Sequence, residues 1–85
     1  MVHFAQSQLT DSGREIVIFT AYIENKSLQC AISYEALQDH FDGNTLKPID
    51  TFVLNRRAIE RIAEKLITQR RFESDDSILI RTSDC

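Results

Sequence analysis

The sequence predicts an α+β fold in which a small antiparallel sheet carries two helices packed on one face. Two segments support this prediction most strongly. Residues 15–23 are rich in β-branched and aromatic side chains, as strands are, and residues 50–71 repeat apolar side chains at helical spacing. The element order is β-β-α-α-β, with an extra N-terminal edge strand as an alternative. We expect residues 1–85 to form a single domain, because a chain of this length suffices for one small core.

The N-terminal part of the chain predicts one weak strand and one strong strand. Residues 2–4 alternate apolar and polar types, which favours a short edge strand, whereas the polar residues 6–13 indicate a loop. Residues 15–23 are apolar on both faces, although a strand with one wet face should alternate. This strand is therefore either central with both faces covered, or its second face meets another chain.

Turn and cap residues delimit the remaining elements. The polar residues 24–27 suit a hairpin turn, after which residues 28–32 alternate as the next strand. Ser33 is suited to cap the first helix at its N-terminus, and Gly43 is suited to end that helix. Residues 77–81 predict the last strand. The predicted core consists of Phe19, Cys30, Ile32, Leu37, Phe41, Phe52, Ile59, Ile62, Ala63, Leu66 and Ile80.

Charge is distributed unevenly along the chain. Residues 50–71 hold six basic and three acidic residues, so this segment has a net charge of +3. Because the whole chain has a net charge of −3, the remainder carries −6. A basic helix on an acidic body indicates a polarised binding surface. The low sequence pI of about 5.2 argues against bulk attraction of the protein to nucleic acid.

Within the predicted helix, Arg57, Arg61 and Lys65 form a row with spacing i, i+4, i+8 and no acidic residue inside it. Residues at this spacing lie on one helix face. The row is either a solvated face or a recognition face, and the sequence leaves both interpretations open.

Asn55 and Arg56 flank the apolar stripe of this helix and interrupt it. In one explanation, Asn55 caps a second helix that begins at Arg56, where an anion could bind the helix N-terminus. In another, the helix is continuous and Arg56 reaches over the edge of the core to pair with a carboxylate. A contact of Arg56 with another protein is the third explanation.

No arrangement of residues predicts catalysis or metal binding, and we expect the protein not to be an enzyme. His3 and His40 are the two histidines, and the two glycines form no phosphate-binding loop. His40 lies beside Asp39 and Asp42, but these three side chains cannot all face one ion from a helix. We expect no catalytic residue, no metal ligand and no cofactor.

The sequence also predicts a cytoplasmic location. No apolar run approaches the length of a membrane span, and residues 1–6 lack the features of a signal peptide. The two cysteines are one strand residue, Cys30, and one terminal residue, Cys85, and a disulfide between them is disfavoured in reducing cytosol.

Two blocks of short segments occur in a characteristic order. The first block is Leu28-Gln29-Cys30-Ala31-Ile32-Ser33, Glu35-Ala36-Leu37 and Asp39-His40-Phe41. The second block is Phe52, Asn55-Arg56, Ile59-Glu60, Ala63 and Ile78-Leu79-Ile80. Together these segments resemble a family of small bacterial proteins, the domain of unknown function 1488 family. The resemblance spans residues 15–82 and implies a small cytoplasmic α+β protein, mostly found in proteobacteria. It implies no activity, cofactor or catalytic residue. Members have been labelled transcriptional regulators, but no helix-turn-helix pattern supports that label in this chain.

Binding is therefore the function that the sequence favours. We expect a non-enzymatic binding, adaptor or regulatory protein that acts through Arg56, Arg57, Arg61 and Lys65, with an acidic protein surface as its partner. The alternative is a nucleic-acid-binding protein, such as a transcriptional regulator, that uses the same helix. Salt separates the two, because phosphate binding weakens steeply with ionic strength. We expect no membrane partner, and the oligomeric state is left open.

Overall fold

The computed structural model describes residues 2–42 and 46–85, and in these residues a four-stranded sheet packs against three helices. The strands are β1 (Val2–Asp11), β2 (Ile16–Ile23), β3 (Lys26–Ser33) and β4 (Ile78–Ile80). The helices are α1 (Tyr34–His40), α2 (Pro48–Leu54) and α3 (Arg56–Thr68), and a 3₁₀ turn (Thr82–Asp84) follows the last strand. The predicted α+β class is confirmed.

The sheet has the strand order β1-β2-β3-β4 and is mixed rather than antiparallel. β1 and β3 both pair with β2 in antiparallel orientation, whereas β4 pairs with β3 in parallel, with Cys30 opposite Ile78 and Ile32 opposite Ile80. The prediction of an entirely antiparallel sheet is therefore wrong for β4. The physical reason is the connection, because a helical crossover between β3 and β4 can return the chain to the end where β3 began.

The alternative with an extra N-terminal strand is confirmed, and β1 is much longer than predicted. The prediction of a loop at residues 6–13 is wrong for residues 6–11, which continue the strand. Pairing with β2 supplies backbone hydrogen bonds that a local reading of polar side chains cannot reveal. The register passes from Phe4 opposite Ala21 to Gln8 opposite Phe19, so three residues of β1 face Thr20 alone and form a bulge.

The turns and the cap of the first helix form largely as predicted. Ile23 pairs with Lys26 across the hairpin, and Glu24 takes a positive φ of 56° in the turn. The Ser33 hydroxyl accepts a hydrogen bond from the backbone N–H of Ala36 at 3.1 Å, which confirms the N-cap of α1. The predicted helix end at Gly43 lies outside the described residues.

The core lies between one face of the sheet and the three helices. Of the predicted core residues, Phe41 and Ile62 are only partly buried, and the others are buried. Phe19 and Phe52 pack ring against ring at the centre, with their centroids 5.0 Å apart. The buried core cluster consists of Val17, Phe19, Ala21, Cys30, Ile32, Ala36, Leu37, Phe52, Ile59, Ala63, Leu66, Ile78 and Ile80.

The second face of the sheet, which we call the open face, belongs to no helix-packed core cluster. β2 is central in the sheet, but Ile18 is only partly buried on this face and Tyr22 is exposed. Cross-strand register places Leu9, Ile18, Ala31 and Leu79 in one line across the four described strands. β2 is therefore central in the sheet, but its second face is not fully covered. Burial within this fold does not by itself explain the apolar side chains on that face.

The long predicted helix is divided at Asn55 into α2 and α3. The break agrees with the explanation in which a second helix begins at Arg56, but the expected capping bond from the Asn55 side chain to α3 is absent. Instead, the Asn55 side-chain amide donates to the Thr51 carbonyl at 2.9 Å and to the Phe41 carbonyl at 3.5 Å. Asn55 thus satisfies carbonyl groups at the end of α2 and ties α2 to the end of α1.

Candidate functional site

The basic row, Arg57, Arg61 and Lys65, lies on the solvent side of α3. All three side chains are exposed, because Ile59, Ala63 and Leu66 take the buried side of the same helix. No member of the row forms an ion pair with any residue in the described parts of the chain. Three positive charges are therefore presented together on one rigid element.

Arg56 lies apart from the basic row and is folded against the body of the protein. Its side chain is 16% exposed, and its guanidinium donates to the Ala5 carbonyl at 3.4 Å and to the side-chain oxygen of Gln8. The guanidinium carbon lies 5.0 Å from the centre of the Phe52 ring, within the range of a cation–π contact. Arg56 therefore connects the start of α3 to the bulge in β1.

The carboxylate expected near Arg56 is supplied by Glu60. The two groups approach to 3.8 Å across one helical turn, which is an ion pair but longer than a hydrogen bond. The Glu60 oxygen in this pair is buried and has no hydrogen-bond partner among the described residues. The nearest partners of Arg56 are thus neutral groups of β1, and the structure supports a structural role for Arg56 rather than an open anion site.

Two arginines nearer the C-terminus, Arg71 and Arg81, are paired with acidic side chains. Arg81 donates two hydrogen bonds to the Glu73 carboxylate at 2.7 and 3.0 Å, and these bonds hold the pKa of Glu73 below its usual value. Arg71 lies 3.6 Å from Asp84. These pairs close the segment around β4 on itself, so their charge is locally neutralised, in contrast to the basic row.

Exposed aliphatic side chains lie next to the basic row at the turn between α2 and α3. Leu54 is 71% exposed and Val53 is 47% exposed, although both directly follow the buried Thr51 and Phe52 in α2. They line an open concavity of about 530 Å³ together with Asn55, Arg56, Arg57, Ala58 and Arg61. Sequence reasoning missed these two residues. The available signal was that they fall outside the apolar stripe defined by Phe52 and Ile59.

A second open cleft, of about 470 Å³, lies between the start of β1 and the N-terminal half of α3. It is lined by Val2, Phe4, Gln6, Arg56, Arg57, Glu60, Arg61 and Glu64. Three arginines and two glutamates line this cleft, so its charges largely offset one another. It therefore gives weaker grounds for an anion site than the basic row does.

In residues 2–42 and 46–85, no group of three or more His, Cys, Asp or Glu side chains is placed to hold a metal ion. Burial raises the pKa of the Cys30 thiol to about 12, which keeps the thiol neutral and unreactive at physiological pH. Among the described helices, none has both the length and the apolar character to cross a bilayer.

A family profile and a solved structure both relate this chain to the same family. The sequence matches the profile of the DUF1488 family, described as a protein of unknown function, over residues 2–80. The fold is similar to the 1.60 Å crystal structure of a protein of unknown function from the DUF1488 family of Shewanella loihica PV-4. That structure has a TM-score of 0.84 and 25% sequence identity, and the alignment covers 93% of this chain and 90% of the other. No curated protein matches the chain.

Proposed function

The chain belongs to the DUF1488 family, whose function is unknown, and on this premise we propose that it is a small non-enzymatic adaptor or regulatory protein that binds an acidic surface of another protein through the basic row. The proposal includes a location in the bacterial cytoplasm. Cys30 and Cys85 are both free thiols, as is usual in a reducing compartment.

The observation that supports this function most strongly is that Arg57, Arg61 and Lys65 lie together on one exposed helix face, and none of them forms an ion pair with a described residue. Arg71 and Arg81 are paired with acidic side chains, and the other exposed basic residues without an ion pair in the described chain, Arg14, Lys26, Lys47 and Arg70, do not share one helix face. Three like charges on one helix face repel one another and contribute little to folding stability. Opposed to an acidic surface, the same charges raise the rate of association and orient the encounter.

The aliphatic neighbours of the row favour a protein as the partner. Leu54 and Val53 can be buried by a partner, which adds hydrophobic free energy beside the charges. Interfaces concentrate binding energy where arginine and large apolar side chains lie together and exclude water. We propose that Leu54 is the apolar anchor of this interface and that the basic row provides its charged rim.

Nucleic acid is the alternative partner, since the same row could contact phosphates. Two features make it weaker. The net charge of −3 repels a polyanion at long range. The exposed residues beside the row, Val53, Leu54 and Ala58, are aliphatic, whereas single-stranded nucleic acid is usually held by stacking on aromatic rings.

Charge reversal of the whole row tests the proposal. The variant Arg57→Glu, Arg61→Glu, Lys65→Glu should keep its fold and lose the partners that the wild-type protein captures from lysate. A matched control reverses three other exposed charges, Arg14, Lys26 and Lys47, with the same change in net charge. The control variant should capture the same partners as the wild type.

Nuclease treatment of the lysate separates the two partner classes. Capture that persists after nuclease and is lost only in the row variant supports a protein partner. Capture that disappears with nuclease supports nucleic acid, and its affinity should then fall steeply as salt is raised. If the row variant captures the same partners as the wild type, the basic row is a solvated face and the proposal is wrong.

A further inference from the structure

The two edges of the sheet differ in how well they are protected. β4 forms a short edge of three residues, followed directly by the paired Arg81. β1 forms the other edge with ten residues, and from Val2 to Thr10 it contains no Lys, Arg, Asp, Glu or Pro. Natural proteins usually protect a long edge strand with charge or proline, because its unpaired backbone groups accept another strand.

The bulge divides β1 into two parts. The residues between Phe4 and Gln8 leave the regular register, and Arg56 binds the Ala5 carbonyl within the bulge. From Gln8 to Asp11 the pairing with β2 is regular, so this part of the strand keeps the regular backbone register that pairing with another strand requires. The unprotected edge is therefore concentrated at the C-terminal part of β1.

Leu9 lies in that part and is 64% exposed. Its side chain points to the open face, where register places it at the end of the line formed with Ile18, Ala31 and Leu79. The apolar line thus runs across the sheet and ends at an exposed leucine on an uncharged edge. A strand added beside β1 would extend this line and bury Leu9.

We propose that two copies of the chain associate by antiparallel pairing of their β1 strands about a two-fold axis at Leu9, which forms one continuous eight-stranded sheet. In this register, Leu9 of one copy faces Leu9 of the other, and Gln8 faces Thr10. Asp11 faces the neutral Ser7. No like charges meet, and the apolar line of one copy is continued by that of the other.

A second copy fits the edge because the strand is neutral and complementary to itself under this two-fold axis. Antiparallel pairing about a two-fold axis is an isologous contact, the type of interface found in two-fold homodimers. Regular pairing covers only Gln8 to Thr10 of each copy, about 10 Å at 3.3 Å per residue for three residues, because Ser7, opposite Asp11, lies in the bulge. The interface is consequently at the small end of specific interfaces, and the dimer is reversible and depends on concentration.

This inference is independent of the proposed function. The basic row lies on α3, and the helices pack on the sheet face that carries Phe19, whereas Leu9 points to the open face. Pairing through β1 therefore leaves Arg57, Arg61 and Lys65 exposed in both copies. Either proposal can fail while the other holds.

Sedimentation equilibrium over a range of protein concentrations provides the first test. The wild-type mass should rise from that of a 9.8 kDa monomer toward twice that value. Leu9→Lys should remain monomeric at every concentration, because two like charges would then face each other across the axis. The matched control is Tyr22→Lys, which places a charge on the same open face but on β2, away from the edge. The control should dimerise as the wild type does.

The outcomes of this experiment separate three arrangements. A wild-type protein that stays monomeric overturns the proposal, and an extended segment of another protein is then the occupant to seek for this edge. Loss of the dimer in both Leu9→Lys and Tyr22→Lys overturns edge pairing in favour of face-to-face packing. A dimer that survives Leu9→Lys overturns the proposed axis.

Disulfide trapping tests the register directly and does not require Leu9→Lys to fold. In antiparallel pairs, directly opposed Cα atoms lie about 4.5–5.5 Å apart, which is within the range that a disulfide spans. On mild oxidation, Leu9→Cys in a Cys85→Ser background should form mostly covalent dimer, and Tyr22→Cys in the same background should remain mostly monomer. Buried Cys30 should not compete. Equal yields of covalent dimer from the two variants, or none from Leu9→Cys, would overturn the register.

Discussion

Arg56 and Arg57 are neighbours in the sequence with identical side chains, yet they occupy opposite environments at the start of α3. Arg56 is largely buried against Ala5, Gln8 and the Phe52 ring, whereas Arg57 is exposed and unpaired among the described residues. One residue along a helix is a rotation of about 100°, which is enough to move a side chain from the edge of the core to solvent. Basic charge alone therefore does not identify a recognition residue. The contacts that each arginine makes within the fold must be known first.

The same division applies to all of α3. One side of the helix, with Ile59, Ala63, Leu66 and Arg56, holds the protein together, and the other side, with the basic row, is available for binding. The two sides should respond differently to substitution. Changes on the inner side should lower stability, and changes on the outer side should alter binding while stability stays nearly constant.

The inner side is tested most severely at Ile59, which is fully buried. Ile59→Ala should lower the free energy of unfolding by about 2–5 kcal/mol, because apolar burial is lost and a cavity remains. Urea denaturation measures this change. Ile62→Ala is the matched control on the same helix, and it should cost less because Ile62 is partly exposed. Equal costs for the two variants would mean that the buried stripe of α3 is misassigned.

Arg56→Ala tests whether an arginine belongs to the inner side. The variant loses hydrogen bonds to Ala5 and Gln8 and leaves the buried Glu60 oxygen further from any cation. We expect a loss of about 1–3 kcal/mol in the free energy of unfolding, as is typical for hydrogen bonds of charged groups. Arg57→Ala should change it by less than about 0.5 kcal/mol, since exposed substitutions seldom cost more. A stability loss below 0.5 kcal/mol for Arg56→Ala would contradict the structural role.

The two cysteines also differ in environment, because Cys30 is buried and Cys85 is exposed. Burial raises the pKa of the Cys30 thiol from 9.0 to about 12, so the folded thiol stays neutral while the unfolded thiol ionises above pH 9. Ionisation then favours the unfolded state, and the stability that neutral Cys30 provides is lost as pH rises from 9 toward 12. The destabilisation caused by Cys30→Ala should therefore be smaller at pH 10.5 than at pH 8. The same destabilisation at both pH values would show that Cys30 ionises freely in the folded protein.

Leu54 gives the mildest test of the outer side. Leu54→Ser should leave the free energy of unfolding within about 0.5 kcal/mol of the wild-type value, because the side chain is already 71% exposed. It should weaken binding of an identified protein partner, since the apolar anchor is removed. An unchanged dissociation constant would remove Leu54 from the interface and leave the basic row as its remaining part.

Much of the fold followed from local patterns, as three elements illustrate. The β-branched run of β2, the Ser33 cap of α1 and the apolar stripe of α3 are each encoded within a few residues of one another. Features that depend on distant partners could not be predicted in this way. The polar second half of β1 becomes a strand only by pairing with β2, and the direction of β4 is set by the helical crossover.

The candidate site was predictable to a similar extent. Spacing alone placed Arg57, Arg61 and Lys65 on one face, and the structure brings them together as an exposed row. Arg56 was predicted to form either a structural pair at the edge of the core, an anion contact or a protein contact, and its hydrogen bond to Ala5, 51 residues away in the sequence, favours the structural explanation. Identical charge and adjacent position are therefore insufficient grounds for a shared role.

The most direct test measures stability and partner binding together for Arg56→Ala and for the charge-reversed basic row. Partner binding is measured at a temperature where each variant is folded, with the partner identified by nuclease-resistant capture. We predict that Arg56→Ala loses stability and keeps its dissociation constant for the partner, and that the row variant keeps its stability and loses binding. The opposite pattern, with binding lost in Arg56→Ala and retained in the row variant, would contradict the division of α3 into a structural side and a binding side.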